Sequence, residues 1–292
     1  MRRFLLLALM MSGTVSWAQA ADMPDFLRGS VGQSTPTRNW GGWYVGGQAS
    51  YTAVDSDFSN SVVGLTNFIF RDSVLQQPSS QFSLLAKTTT QGTGFGSFVG
   101  RNFQFDDLVF GFEANYHYFD RLATSTHASN SLEIVNPPGQ VNPPGVTTTY
   151  DVTLTGRAAV QLKDEILFRA RAGWATGDFL PYVFGGLGVG RMDVSRSVTS
   201  SVTRRDDVTT TDIFGVTTTV RGITFPVPSQ SQTLIEQRGN AFVLGMTGGL
   251  GLEYMVWSNF FLRGEWEYVK FLSVKNTIVQ TNNLHAGIGY KF

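Results

Sequence analysis

Apolar and polar residues alternate with a period of two along most of the chain, the signature of strands with one apolar face. Trp43, Val45, Gly47, Ala49, Tyr51 and Ala53 share one face, against Gln48, Ser50 and Thr52. In residues 108–118, Leu108, Phe110, Phe112, Ala114, Tyr116 and Tyr118 oppose Glu113, Asn115 and His117. Residues 166–174 set Ile166, Phe168, Ala170, Ala172 and Trp174 against Arg169 and Arg171. The same alternation runs through 242–254 (Thr247 and Glu253 opposite the apolar face), 260–268 (Arg263, Glu265 and Glu267) and 284–292 (His285 and Lys291). Gly-rich stretches 94–105 and 179–190 read as two more strands, giving eight. Residues 150–160 also alternate; if they and a partner cross independently, the count becomes ten.

The connections predict which compartment each end faces. Turns at 105–107, 176–178 and 255–258 are short, whereas 55–92, 119–160 and 191–240 read as long polar loops, with 271–281 intermediate. Short turns on one side and long loops on the other is the plan of an outer-membrane barrel. A soluble sandwich would put the apolar face in its core and leave the charged face to solvent. Here the large aromatics fall toward strand ends (Trp43, Tyr116, Tyr118, Trp174, Tyr182, Tyr254, Trp257, Trp266, Tyr268, Tyr290 and Phe292), as in interfacial girdles. The other face carries Glu113, Glu253, Glu265 and Glu267 against Arg169, Arg171, Arg263 and Lys291, with His117 and His285 beside them. Four acids with four bases suit the closed lumen of an eight-stranded barrel, where charges have to pair. Arg101 shares the parity of Phe103 and Phe105 and points outward, an exception that snorkelling to the periplasmic interface accommodates. The predicted fold is an all-β, eight-stranded, antiparallel, up-and-down transmembrane barrel with long extracellular loops.

Composition fits two alternating faces. The chain has 292 residues, of which 15% are charged and 42% hydrophobic, with 32 Gly and 23 Phe. An average soluble domain is about 25% charged; a lipid-facing half that carries no charge accounts for the deficit. The absence of Cys excludes disulfides, thiolate metal sites and a Cys nucleophile. Basic and acidic residues number 22 each, which gives no basic face for nucleic acid. Arg2 and Arg3 before an eight-residue apolar run, with Ala18-Gln19-Ala20 after it, read as a signal peptide over 1–20 cleaved beyond Ala18 and Ala20. Its removal leaves 20 basic residues against 22 acidic. A periplasmic segment, 21–40, then precedes a barrel domain over 41–292.

Catalytic chemistry finds no support in the motifs. His117, His127 and His285 lack metal-site spacing, the glycines complete no phosphate-binding loop, and no nucleophile elbow occurs. Asp106-Asp107 lies in a periplasmic turn, and His127 and Asp206-Asp207 lie on different loops. No catalytic residue, cofactor or metal is therefore expected. The repeat 135–139 and 141–145, Val-Asn-Pro-Pro-Gly, reads as a stiff, solvated loop tip. Two Val-Thr-Thr-Thr runs, 208–211 and 216–219, flank Phe214-Gly215 and read as a hairpin extending the third loop.

Several stretches resemble a family. They are Ala20-Ala21-Asp22-Met23-Pro24, Trp40-Gly41-Gly42-Trp43-Tyr44-Val45-Gly46-Gly47, Phe110-Gly111-Phe112-Glu113-Ala114, Arg169 to Trp174 with Phe179 to Val183, Gly249 to Tyr254, Arg263 to Tyr268, and Ala286 to Phe292. The chain resembles the small outer-membrane barrels of alphaproteobacteria, the 25/31 kDa outer-membrane antigen and RopB-like group, OmpA-like and often labelled porin family. The likeness covers the strands from residue 40 on and none of the loops. It implies an integral outer-membrane, surface-exposed structural protein, with no catalytic residues to carry over and haem binding ascribed to some members. The function expected is a non-enzymatic barrel that supports envelope integrity and presents loops outside. Tyr290 and Phe292 resemble the terminal signal read by the barrel-assembly machinery. Expected partners are outer-membrane lipid, lipopolysaccharide and that machinery, plus an unidentified surface ligand. A narrow solute channel and ligand binding through the long loops are the alternatives.

Overall fold

The structure, a computed structural model, describes residues 38–80 and 84–292. The signal peptide with Ala18 and Ala20, and most of the segment 21–40, lie outside the described residues. The strands are β1 (Gly42–Asp57), β2 (Lys87–Phe105), β3 (Leu108–Val135), β4 (Val146–Trp174), β5 (Phe179–Thr211), β6 (Thr217–Val220), β7 (Thr224–Pro226), β8 (Thr233–Met255), β9 (Phe260–Phe271) and β10 (Ile278–Lys291). Eight of them form the barrel. Each pairs antiparallel with its chain neighbours, β5 pairs with β8, and β1 with β10 closes the cylinder. The short β6 and β7 lie against β5. Residues 150–160 belong to β4, so the ten-strand alternative is not realised.

The alternation decides which face is which. Phe112, Phe168, Leu187 and Phe242 stand 62–73% exposed on the outer surface, while Glu113, Arg169 and Glu253 on neighbouring positions are at most 4% exposed. An apolar band outside and buried charge inside is the membrane-barrel arrangement, the inverse of a soluble core. Arg101 does point outward, its guanidinium 5.5 Å from the Trp43 ring centre and 4.9 Å from that of Phe103.

The long loops are the main correction. β3, β4 and β5 run for 28, 29 and 33 residues, whereas a tilted strand crosses the hydrocarbon in about 9–11. What read as loops 119–160 and 191–240 is largely sheet continuing beyond the membrane. The register slips between Tyr118 and Leu122, between Leu162 and Asp164, and between Met192 and Val194. Each slip is an irregularity of the bulge kind, which bends a strand and disrupts its phase. In β3 the inward residues are odd-numbered up to Phe119 and even-numbered from Leu122. His127 therefore lies on an outward position of β3, not in a loop, and Asp206 and Asp207 lie in β5. The hairpin over 208–219 does form, with Val208 opposite Val220 and Thr211 opposite Thr217. The Pro-Pro-Gly repeat is the tip between β3 and β4.

The connection 58–86 holds two short helices, Val63–Ile69 and Gln76–Ser80. Phe58, Phe70 and Leu75 are completely buried there, and they pack in one cluster with Leu122, Leu154, Val198, Phe271 and Val279 of the barrel wall. Fully burying a side chain of this size stabilises by about 1.5–3 kcal/mol. This connection is thus an apolar cork rather than a polar loop. Arg196 of β5 fastens it. Its guanidinium donates to the Ser61 carbonyl, to the Lys275 carbonyl at 3.0 Å and to Glu236, and Lys275 also pairs with Glu236. Those two cations hold the Glu236 carboxyl below its ordinary range.

Candidate functional site: the barrel lumen

Three tiers fill the lumen. The cork and its wall form the outer tier. The periplasmic tier is a second apolar cluster that includes Trp40, Tyr44, Phe98, Tyr182, Phe184 and Phe261. Trp40 belongs to the segment preceding β1, and its backbone amide donates to Gln104 Oε1 at 2.6 Å, tying that segment to the barrel base. Glycine makes room for this tier at two places. A Cβ on Gly289 would stand 2.1 Å from Phe261 Cζ, and one on Gly46 2.2 Å from Phe98 Cζ, so each ring takes the space left by the glycine opposite it on the neighbouring strand.

Between the apolar tiers lies the charged one. Cross-strand register sets its pairs: Glu113 opposite Arg169, Glu253 opposite Arg263, and His117 opposite Glu165. Arg263 donates to Glu113 at 2.6 Å and to Glu253 at 2.7 and 3.0 Å. Arg171 donates to Glu253 at 2.9 Å and to the Tyr44 hydroxyl at 3.1 Å, and that hydroxyl donates to Glu113 at 2.8 Å. Arg169 reaches Glu113, Glu265 at 3.1 Å and Glu267 at 3.3 Å. Each guanidinium also covers an aromatic ring of the periplasmic tier: Arg263 over Phe98 at 3.7 Å, Arg171 over Tyr182 at 3.9 Å and Arg169 over Phe184 at 4.1 Å. Cation–π attraction of this kind strengthens when both partners are out of water.

Eight of the nine expected lumen residues meet in this tier: Glu113, Arg169, Arg171, Glu253, Arg263, Glu265, Glu267 and His285. Lys291 does not. It stands at the periplasmic end of β10, where its ammonium donates to the carbonyls of Asn39 and Gly41. Tyr182 reverses its expected place: it is buried in the lumen with its hydroxyl on Glu265, not part of a girdle. Glu165, completely buried, went unread because it lies next to a bulge. Among the described residues, the buried ionic set is therefore five glutamates, three arginines and two histidines, not four acids and four bases.

The histidines sit together. Their ring centres are 4.6 Å apart. His117 Nδ1 meets Glu165 at 3.0 Å and His285 Nε2 meets Glu267 at 3.0 Å. A nitrogen of each ring and a Glu267 oxygen lie within 4.8 Å of one another. Tyr290 forms an aromatic chain on the outer surface with Phe260 at 4.9 Å and Phe292 at 5.1 Å, and the Phe292 amide donates to the Trp43 carbonyl.

A closed eight-stranded cylinder with a lipid-compatible exterior and an ion-paired interior defines a small outer-membrane β-barrel. The outer membrane protein beta-barrel domain model matches residues 5–292, and the chain belongs to that family. No curated protein matches it. Among solved structures, it is similar to Neisserial surface protein A (16% identity, covering 86% of this chain and 97% of that one, TM-score 0.32). It is also similar to Ail of Yersinia pestis in complex with a heparin analogue, sucrose octasulfate (12% identity, 85% and 99% covered, TM-score 0.31). A third is the N-terminal β-barrel domain of Pseudomonas aeruginosa OprF (12% identity, 83% and 97% covered, TM-score 0.25).

Proposed function

We propose that this protein is a plugged, non-enzymatic envelope barrel that carries a projecting wall outside the cell and supports envelope integrity. The observation that carries the reading is the filled lumen: among the described residues, two apolar tiers enclose a charged one, and an eight-stranded cylinder is just wide enough for side chains to fill. The role then falls to the outside. There the extended β3, β4, β5 and β8 present rows of hydroxyls, such as Ser129 opposite Thr155 and Thr199 opposite Thr233. Outer-membrane lipid and lipopolysaccharide are the proposed partners of the band and of this wall, and Tyr290 and Phe292 the proposed signal for the barrel-assembly machinery. The test is steady conductance of the purified protein in a planar bilayer. Silence is expected; a stable open level would restore the narrow-channel reading. Heat-modifiable gel migration reports barrel closure on the same sample.

A groove on the outward wall favours ligand binding as a second reading. It encloses about 530 Å³ between Ser125, His127, Arg157, Ser197 and Gln237, with His127 directly opposite Arg157. A basic pair among hydroxyls suits an anionic ligand such as a sulfated sugar or a haem propionate. Binding unchanged in a His127→Ala, Arg157→Ala double variant would dismiss it.

A further inference from the structure

We infer that His117, His285 and Glu267 form a buried site for one divalent transition-metal ion of the zinc class. Charge supplies the first reason. Among the described residues, five buried carboxylates face three guanidinium groups, which leaves that set two positive charges short, and uncompensated charge in a closed interior is strongly unfavourable. The shortfall gathers where Glu165 and Glu267 meet the histidines. One divalent cation on two neutral imidazoles supplies it. Two imidazolium rings with centres 4.6 Å apart would repel one another instead.

Donor chemistry supplies the second. Two imidazoles and a carboxylate are a set that zinc takes readily, and their atoms already converge within 4.8 Å. Ligands about 2.0–2.1 Å from a tetrahedral zinc stand about 3.4 Å apart, so side-chain rotation of roughly an ångström closes the shell. One orienting contact is in place: Glu165 accepts from His117 Nδ1 at 3.0 Å, as carboxylates do behind ligating histidines. His117 Nε2, the nitrogen left for the ion, meets the Gln48 side-chain amide at 2.5 Å, and that amide has to swing aside for the ion to bind. Glu267 keeps Oε1 on Arg169 and Thr247 and turns Oε2 toward His285.

Orphaned atoms supply the third. His285 Nδ1, Glu165 Oε2, Ser50 Oγ and Asn283 Oδ1 are buried here without a hydrogen-bond partner, and such groups ordinarily have one. A bound ion and its water are partners of the right kind.

The test is to refold the full barrel into detergent with zinc, remove free metal by gel filtration, and measure retained zinc by mass spectrometry. About one ion per chain is expected. Retention falls at least tenfold in His285→Asn or His117→Asn, and is unchanged in His127→Asn. Substoichiometric zinc in the wild type, or equal retention in His285→Asn, overturns the site. Should the lumen variants fail to show heat-modifiable migration, X-ray absorption of the zinc-loaded wild type decides. Two imidazole nitrogens at about 2.0–2.1 Å are expected, and an all-oxygen shell refutes the assignment.

Discussion

Arg263→Met is the perturbation to which the lumen is most exposed. The substitution keeps an unbranched chain over Phe98 but removes the donors to Glu113 and Glu253. Arg263 is 3% exposed and its three carboxylate partners, Glu113, Glu253 and Glu265, are at most 4% exposed, so water cannot take over as it would at a surface pair. Removing one member of a buried ion pair costs about 3–5 kcal/mol, most of it the penalty of the charge left behind. That lowers the folding equilibrium constant by roughly two to four orders of magnitude. The assay is reversible urea unfolding in lipid vesicles, followed by Trp fluorescence and by heat-modifiable migration. A second substitution separates charge from packing. Adding Glu253→Gln removes one of the stranded carboxylate charges, so the double variant should recover at least about 1 kcal/mol relative to additivity. If Arg263→Met unfolds within about 1 kcal/mol of the wild type, or the double variant is additive, the carboxylates are hydrated and the tier is not a dry plug.

Three further outcomes follow from the outer and periplasmic tiers. Phe70→Ala should cost about 3–5 kcal/mol by opening a cavity in the cork, and should speed amide exchange in residues 58–76 while leaving β9 and β10 protected. Gly289→Val should displace the Phe261 ring and lower stability by about 1–3 kcal/mol, read as a lower temperature for the gel-shift transition. The Glu236 clamp should be sensitive to acid. Its carboxyl is held below the ordinary value of 4.5 by Lys275 and Arg196, so the clamp stabilises above that pH and is lost as pH falls through the depressed folded value. Glu236→Gln should therefore weaken protection of the cork at pH 7, and the difference from wild type should vanish in strong acid. Equal protection at both pH values would show that Arg196 holds the cork through the Ser61 and Lys275 carbonyls alone.

The barrel was legible because lipid permits no exception along the outer face. From Leu108 to Tyr118 or from Phe242 to Tyr254, every second residue is apolar or small, and parity alone placed Glu113, Glu253 and Arg169 inside. Legibility stopped at the bulges. The clear alternation stops at Tyr118 in β3 and starts at Ile166 in β4 and at Phe242 in β8, each close to where the register slips. Beyond those points outward positions carry Ser, Thr and Gln because they face water, so amplitude and phase failed together. Glu165 was lost for the same reason. Lys291 was misplaced because parity gives the side of the sheet but not the height along the barrel, and the last strand position lies at the rim.

The same height coordinate explains why the cork could not be read from its own segment. Phe58, Phe70 and Leu75 stand at unequal spacings around two short helices, Val63–Ile69 and Gln76–Ser80, so no single period places them on one face. Their burial depends on a wall that exists only because β3, β4 and β5 continue past the membrane. The inward face of that continuation is apolar (Val152, Leu154, Val160, Val194, Val198 and Val202) although its outward face is hydroxylated. A water-filled channel would have no use for an apolar inner face at this level, where both sides of the sheet would be wet. The polarity of the projecting wall is therefore itself evidence for closure: dry inside and wet outside, it inverts the arrangement of the charged tier and lipid band beneath it. The three bulges mark the level at which the inversion occurs, and a bulge in β3 or β4 is what lets one continuous strand exchange the parity of its two faces there.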